Sequence, residues 1–226
     1  MMKLFASVCL LCVVYPLSLR EEVPSKTYTY LALGDSYTIG ESVKAPESFP
    51  YQLQQKLNKE GYALAEPEII ARTGWTSGEL QTAIRNRKVN RTFDVVTLLI
   101  GVNNQYRGYS TETYRKEFRA LLQTAVSLAG NKKEHVFVVS IPDWGVTPYA
   151  RQNGFALQTV AREIDTFNAI NREETQALGI SYTDITPGSR KAAADATLLA
   201  PDGLHPSGKM YAEWVTALYP AVKAVL

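Results

Sequence analysis

The chain is expected to fold as a three-layer α/β/α sandwich around a mostly parallel, five-stranded sheet. Three observations carry that expectation. Five β-rich runs alternate with segments of helical spacing, the order that puts a helix between successive strands of a parallel sheet. Two of the runs, VVTLLI at 95–100 and HVFVVSI at 135–141, are almost continuously apolar, as strands covered on both faces must be. Between residues 25 and 226 there is no composition break, repeat or low-complexity stretch, so one domain is expected there.

In chain order, residues 28–33 form a β-rich run ending at Gly34. Residues 49–61 have helical spacing through Tyr51, Leu53 and Leu57 and stop at glycine. Residues 68–71 are a short apolar strand, residues 77–88 read as a helix, and 95–100 is the third strand. Residues 111–128 are amphipathic, with Tyr114, Phe118, Leu121, Leu122 and Ala125 on one side. A buried strand at 135–141, a long helix at 155–178, a fifth strand at 180–185 and a closing helix at 207–226 complete the pattern.

Composition narrows the function. The 226 residues are 46% hydrophobic, 20% charged and 10% aromatic, which excludes a disordered chain. A domain of this size buries roughly 70% of its unfolded surface and needs no disulfide or metal staple. The formal net charge of +2, with no long Lys/Arg run, gives no footprint for nucleic acid.

The first residues read as a targeting segment. Met1, Met2 and Lys3 precede an apolar run at 4–15, too short to span a bilayer and of the length of a secretory h-region. Residues 1–19 are therefore expected to be a signal peptide, and the product to be secreted or periplasmic, with no stable membrane insertion after the signal is removed. Cys9 and Cys12 both lie in this segment, so a mature chain cut near residue 19 has no cysteine.

In open α/β sheets ligands sit beyond the carboxyl ends of the strands. The first strand ends in Gly34-Asp35-Ser36-Tyr37-Thr38, the second is followed by Arg72-Thr73-Gly74-Trp75-Thr76, and the third by Gly101-Val102-Asn103-Asn104. Asp202-Gly203-Leu204-His205-Pro206 precedes the last helix. Acyl transfer needs a hydroxyl nucleophile, a base, a carboxylate to orient the base, and donors for the oxyanion. Ser36 can be the nucleophile, His205 the base and Asp202 the orienting acid. The N–H groups of Ser36 and Gly74 and the amide of Asn103 can form the oxyanion hole. The only other histidine, His135, opens a buried strand and is expected at a strand edge. Each segment alone has a plain structural reading: Gly-Asp-Ser and Asp-Gly as turns, Asn103 and Asn104 as loop amides, Asp202 as a helix cap. Their ordered occurrence at strand exits favours the catalytic one.

These four segments resemble the conserved blocks of the SGNH, or GDSL, hydrolases. Gly34-Asp35-Ser36-Tyr37 is similar to the nucleophile block, Gly74 to the second-block glycine, Asn103 to the third-block asparagine, and Asp202-Gly203-Leu204-His205 to the Asp-x-x-His block. The resemblance implies a flavodoxin-like sandwich and a serine esterase or acylhydrolase with no metal and no cofactor. It also implies the same roles for Ser36, Asp202, His205, Gly74 and Asn103. Two positions depart: Tyr37 stands where the family has leucine, and Asn104 where it often has aspartate.

Tyr37, Trp75, Tyr106 and Trp144 are the candidate substrate-binding residues; Trp75, Tyr106 and Trp144, with Tyr149, lie in loops after strand ends. They can stack on a sugar, line an acyl pocket, or simply pack the loops onto the sandwich. No long insertion suggests a lidded tunnel, so the expected substrate is a small-molecule or glycan ester carrying a short acyl group such as acetyl. A lysophospholipase or lipase-type activity is the rival, and a ligand-binding module without catalysis is a third reading. The oligomeric state is left open.

Overall fold

The computed structural model describes residues 26–226, so the expected signal segment, with Cys9 and Cys12, lies outside the described residues. The sheet is built from β1 (Tyr30–Gly34), β2 (Glu68–Ala71), β3 (Val95–Leu99), β4 (Val136–Val139) and β5 (Ser181–Thr183). Their spatial order is β2-β1-β3-β4-β5, and every pairing between neighbours is parallel. Leu31 pairs with Val96, Leu98 with Val138, and Val139 with Thr183. All residues of β1, β3 and β4 are buried, which is why these runs show no polar alternation. A short parallel pairing of Thr27–Tyr28 with Ala63–Leu64 lies outside this sheet.

Helices α1 (Ser36–Ile39), α2 (Phe49–Lys59), α3 (Ser77–Arg87), α4 (Val102–Tyr106), α5 (Thr111–Leu128), α6 (Pro148–Gln152), α7 (Leu157–Ala177), α8 (Thr186–Ser189) and α9 (Gly208–Lys223) connect and cover the strands. Helix α2 packs on α9, whereas α3 packs on α5 and α5 on α7. This gives the three layers the alternation implied. On α5 the buried positions are Tyr114, Phe118, Leu121, Leu122, Ala125 and Leu128, the stripe read from the sequence. Glu174 of α7, almost wholly buried, is held by Arg115 and Arg119 of α5, a bridge that fixes this helix pair.

Several expected elements are shorter than their patterns, for local polar reasons. The fourth strand starts at Val136 because His135 Nδ1 bonds the Asp94 carbonyl at the strand edge, 2.5 Å away. It ends before Ser140, whose hydroxyl accepts the backbone N–H groups of Ile185 and Thr186 and draws the end of the fifth run out of the sheet. The closing helix starts at Gly208 because Ser207 caps it by accepting the Met210 N–H. Asp202 is therefore not the cap. Helices α1, α4, α6 and α8 were absent from the periodicity reading, since five residues or fewer show no repeat.

Candidate active site

Strands β1 and β3 are adjacent, yet the chain leaves them toward opposite layers, to α2 and α5. That is the topological switch point where such sheets bind ligands. At the exit of β1, Asp35 caps α1 by accepting the Tyr37 N–H at 3.0 Å, and Ser36 becomes the first helical residue. A Cβ on Gly34 would lie 2.1 Å from Thr38 Oγ1 and 2.4 Å from the Leu99 carbonyl, so only glycine lets the turn fold this tightly onto β3. The Ser36 N–H is one of the donors left free at a helix start. Among the described residues it donates no hydrogen bond.

At the exit of β2, Gly74 takes φ +84°, a conformation that disfavours other residues. Its carbonyl accepts from Arg107 Nη2 at 2.6 Å, and among the described residues its N–H is uncommitted. Thr76 and Glu79 form a reciprocal capping box that starts α3. At the exit of β3, Asn103 Nδ2 donates to the Trp75 carbonyl at 3.0 Å, which ties the second and third segments together. The neighbouring Asn104 is fully buried. Its Oδ1 accepts the Ser77 N–H at 2.9 Å and its Nδ2 donates to the Ser77 hydroxyl at 2.8 Å.

The fourth segment carries a bonded pair. His205 Nδ1 lies 2.6 Å from Asp202 Oδ2. The same oxygen accepts from the Ser42 hydroxyl at 2.7 Å, and Asp202 Oδ1 accepts the N–H groups of Leu204 and His205 at 3.0 Å. Burial works against the charge of Asp202, but these four donors outweigh it and hold the carboxyl at about 2. An ionised carboxylate only accepts, so Nδ1 carries the imidazole proton and Nε2 is left as the basic nitrogen.

Ser36, Gly74, Asn103 and His205 line one cavity of about 190 Å³. Tyr37, Tyr106 and Trp144 line it as well, with Tyr149 and Leu204. The structure thus brings the four segments to one place. It does not form a Ser36–His205 hydrogen bond, a contact that in related chemistry often tightens only once substrate is bound. Trp75 does not line this cavity; it lines a separate groove of about 460 Å³ with Glu79 and Tyr109. Trp144 is 4% exposed, donates from Nε1 to Gln105 at 2.8 Å, and packs edge-on against Phe155. Tyr106 is 50% exposed at the rim. Sequence reasoning missed Ser42, which sits on an unpatterned turn with φ +66°, and Phe155, which read only as the start of a helix.

The family model for the GDSL-like lipase/acylhydrolase family matches residues 32–213, a span containing all four segments. The chain belongs to that family. Solved structures with this fold include TesA, at 18% identity and a TM-score of 0.67, covering 88% of this chain and 99% of that one. Another is the psychrotrophic esterase EstA from Pseudoalteromonas sp., inhibited by monoethylphosphonate: 18% identity, TM-score 0.66, 87% and 97% covered. A third is a catalytic mutant of Axe2, an acetylxylan esterase from Geobacillus stearothermophilus: 15% identity, TM-score 0.65, 86% and 94% covered. No curated protein sequence matches the chain.

In this GDSL-family hydrolase the aspartate beside Ser36 behaves oppositely to Asp202. Asp35 is fully buried, and its Oδ2 has no partner. Burial pushes its carboxyl up to about 7, against the smaller effect of the Tyr37 and own-backbone N–H groups. Among the described residues of the hydrolase, no helix is long and apolar enough to cross a membrane, and no cluster of His, Cys, Asp and Glu is arranged to hold a metal ion.

Proposed function

We propose that this GDSL-family hydrolase is an exported serine esterase that removes short acyl groups, such as acetyl, from a carbohydrate or other polar carrier. The observation that carries the reading is His205, bonded to Asp202, in the cavity also lined by Ser36 and by Gly74, both with uncommitted backbone N–H groups. Ser36 Oγ attacks the ester carbonyl while His205 Nε2 takes its proton. Asp202 holds the ring and stabilises the imidazolium. The N–H groups of Ser36 and Gly74, with Asn103 Nδ2, receive the oxyanion. The imidazolium returns the proton to the leaving alcohol, giving an acyl-enzyme on Ser36 and a free alcohol. Water then attacks the acyl carbonyl with His205 again as base, releasing the acid and restoring Ser36.

The modest cavity and the exposed Tyr106 at its rim support a small acyl group on a polar carrier, and the acetylxylan esterase Axe2 shares the fold. The expected signal at residues 1–19 supports export.

The test is hydrolysis of p-nitrophenyl acetate, butyrate and octanoate by the protein and by Ser36→Ala, with fluorophosphonate labelling in parallel. Loss of all turnover and labelling in a folded Ser36→Ala variant is expected. Unchanged turnover would overturn the reading, and ligand binding with no turnover of any ester would favour a non-catalytic module. Rates rising toward octanoate would favour a lipid substrate. Sequencing the N-terminus of the exported protein should find a start near residue 20.

A further inference from the structure

Beside the cleft lies a second, much smaller space. It is lined by Leu199, Pro206 and Met210 and retains only about 10 Å³, about the least room that admits one water. Three residues, Tyr37, Trp144 and Leu204, line both this void and the cleft that holds Ser36. They form the partition between the two. The Asp143, Thr147 and Ser189 side chains around the void are engaged inside the protein: Asp143 accepts from Gly145 and Arg190, and the Thr147 and Ser189 hydroxyls donate to backbone carbonyls. Enlarged, the void would present an apolar lining with no unpaired polar group on those residues.

The partition is rigid on two of its sides. Tyr37 is 3% exposed, and its ring lies 5.6 Å from that of His205 and 6.3 Å from that of Trp214. Trp144 is fixed by its bond to Gln105 and by Phe155. Tyr37 also lines the same cleft as Ser36, the residue that would carry the acyl group.

We propose that Tyr37 sets the acyl-chain length of this enzyme, by closing the cleft together with Trp144 and Leu204 against the apolar void beside it. The inference rests on the esterase reading. A longer chain would have to displace a locked aromatic ring, whereas a leucine at this position joins cleft and void into one apolar channel.

The test compares kcat/KM for p-nitrophenyl acetate, butyrate and octanoate in wild type, Tyr37→Leu, Tyr37→Phe and Leu204→Ala, each checked for folding by circular dichroism. Each methylene newly buried should favour the longer ester about fourfold. The octanoate-to-acetate ratio is therefore expected to rise at least about tenfold in Tyr37→Leu. Tyr37→Phe keeps the bulk and should keep the wild-type profile. Leu204→Ala opens the partition from its other side, should shift the profile the same way, and decides the matter if Tyr37→Leu does not fold. A wild-type profile in both folded opening variants overturns the inference while leaving the esterase reading intact, provided wild type turns over acetate. A uniform loss across all chain lengths also overturns it, assigning Tyr37 to support of the His205 ring. No ester turnover by wild type overturns both.

Discussion

Replacing Asp35 by asparagine should stabilise the protein in alkaline buffer and not in acid. The carboxyl is fully buried, with one oxygen on the Tyr37 N–H and the other without a partner. Its folded value of about 7 lies above the ordinary 3.8, so the native state holds this proton more tightly than the unfolded chain does. Stability contributed at this site is therefore undiminished below pH 4, falls as pH rises from 4 to 7, and is lower by a constant amount above that. A displacement of about three units corresponds to about 4 kcal/mol at pH 8. Asparagine keeps the oxygen that caps α1 and is neutral throughout. Its NH2 group leaves two buried N–H donors unpaired where the protonated acid leaves one O–H, a net extra cost of about 1–3 kcal/mol. The net gain for Asp35→Asn at pH 8 should then be about 1–3 kcal/mol, or several degrees in Tm at about 2–4 °C per kcal/mol. At pH 5 it should be close to zero. Urea unfolding of both proteins at pH 5 and pH 8, with equal m-values, measures this double difference. A difference between variant and wild type that is the same at both pH values would refute the reasoning.

Three further perturbations have stated outcomes. Ser42→Ala removes an exposed donor from Asp202 Oδ2, so kcat should fall by about 2- to 10-fold with little change in KM; the Asp202 carboxyl, followed by NMR, should titrate upward from about 2, and an unmoved titration would exclude the coupling. Asn104→Asp places a second carboxylate near Glu117, whose Oε2 lies 3.5 Å from Asn104 Nδ2, and should cost about 1–3 kcal/mol at pH 8 and less at pH 4, read by urea unfolding. Gly34→Ala forces a methyl against the Leu99 carbonyl and should cost about 1–3 kcal/mol or more; a loss under about 0.5 kcal/mol would mean that the β1 exit is not tightly packed.

The sheet was legible because its central strands are buried on both faces. Such strands need continuous apolar sequence, and that leaves an unmistakable trace in 95–100 and 135–141. Strand ends were not legible, because they are decided by single polar groups such as the Ser140 hydroxyl, whose partners lie more than forty residues away. The gathering of Ser36, Gly74, Asn103 and His205 could be read because parallel strands deliver all their exits to one edge. The placing of Trp75 could not, since a loop position after a strand does not say which of two neighbouring grooves the residue lines. Ser42 left no trace either: its role depends on a single left-handed residue reaching Asp202 across 160 positions of chain.

The two aspartates near the cavity show why residue type alone does not assign a role. Asp35-Ser36 and Asp202-x-x-His205 both put an aspartate close in sequence to a reactive side chain. What separates them is the number of donors each carboxylate meets as it leaves water. Asp202 keeps partial exposure and receives four donors, so its charge is retained at about 2 and is available to hold a protonated imidazole. Asp35 has one oxygen bonded and one orphaned in full burial, so its charge is disfavoured up to about 7. Environments that drive like groups apart in this way divide the labour between them. Below neutrality the carboxyl next to Ser36 is largely neutral, and the negative charge of the site is concentrated on the carboxylate bonded to His205. In the proposed mechanism a buried charge on Asp35 would instead sit one residue from the atom at which negative charge develops. In its neutral form Asp35 would spare that opposition to the proposed oxyanion, for which the Ser36 and Gly74 N–H groups are uncommitted.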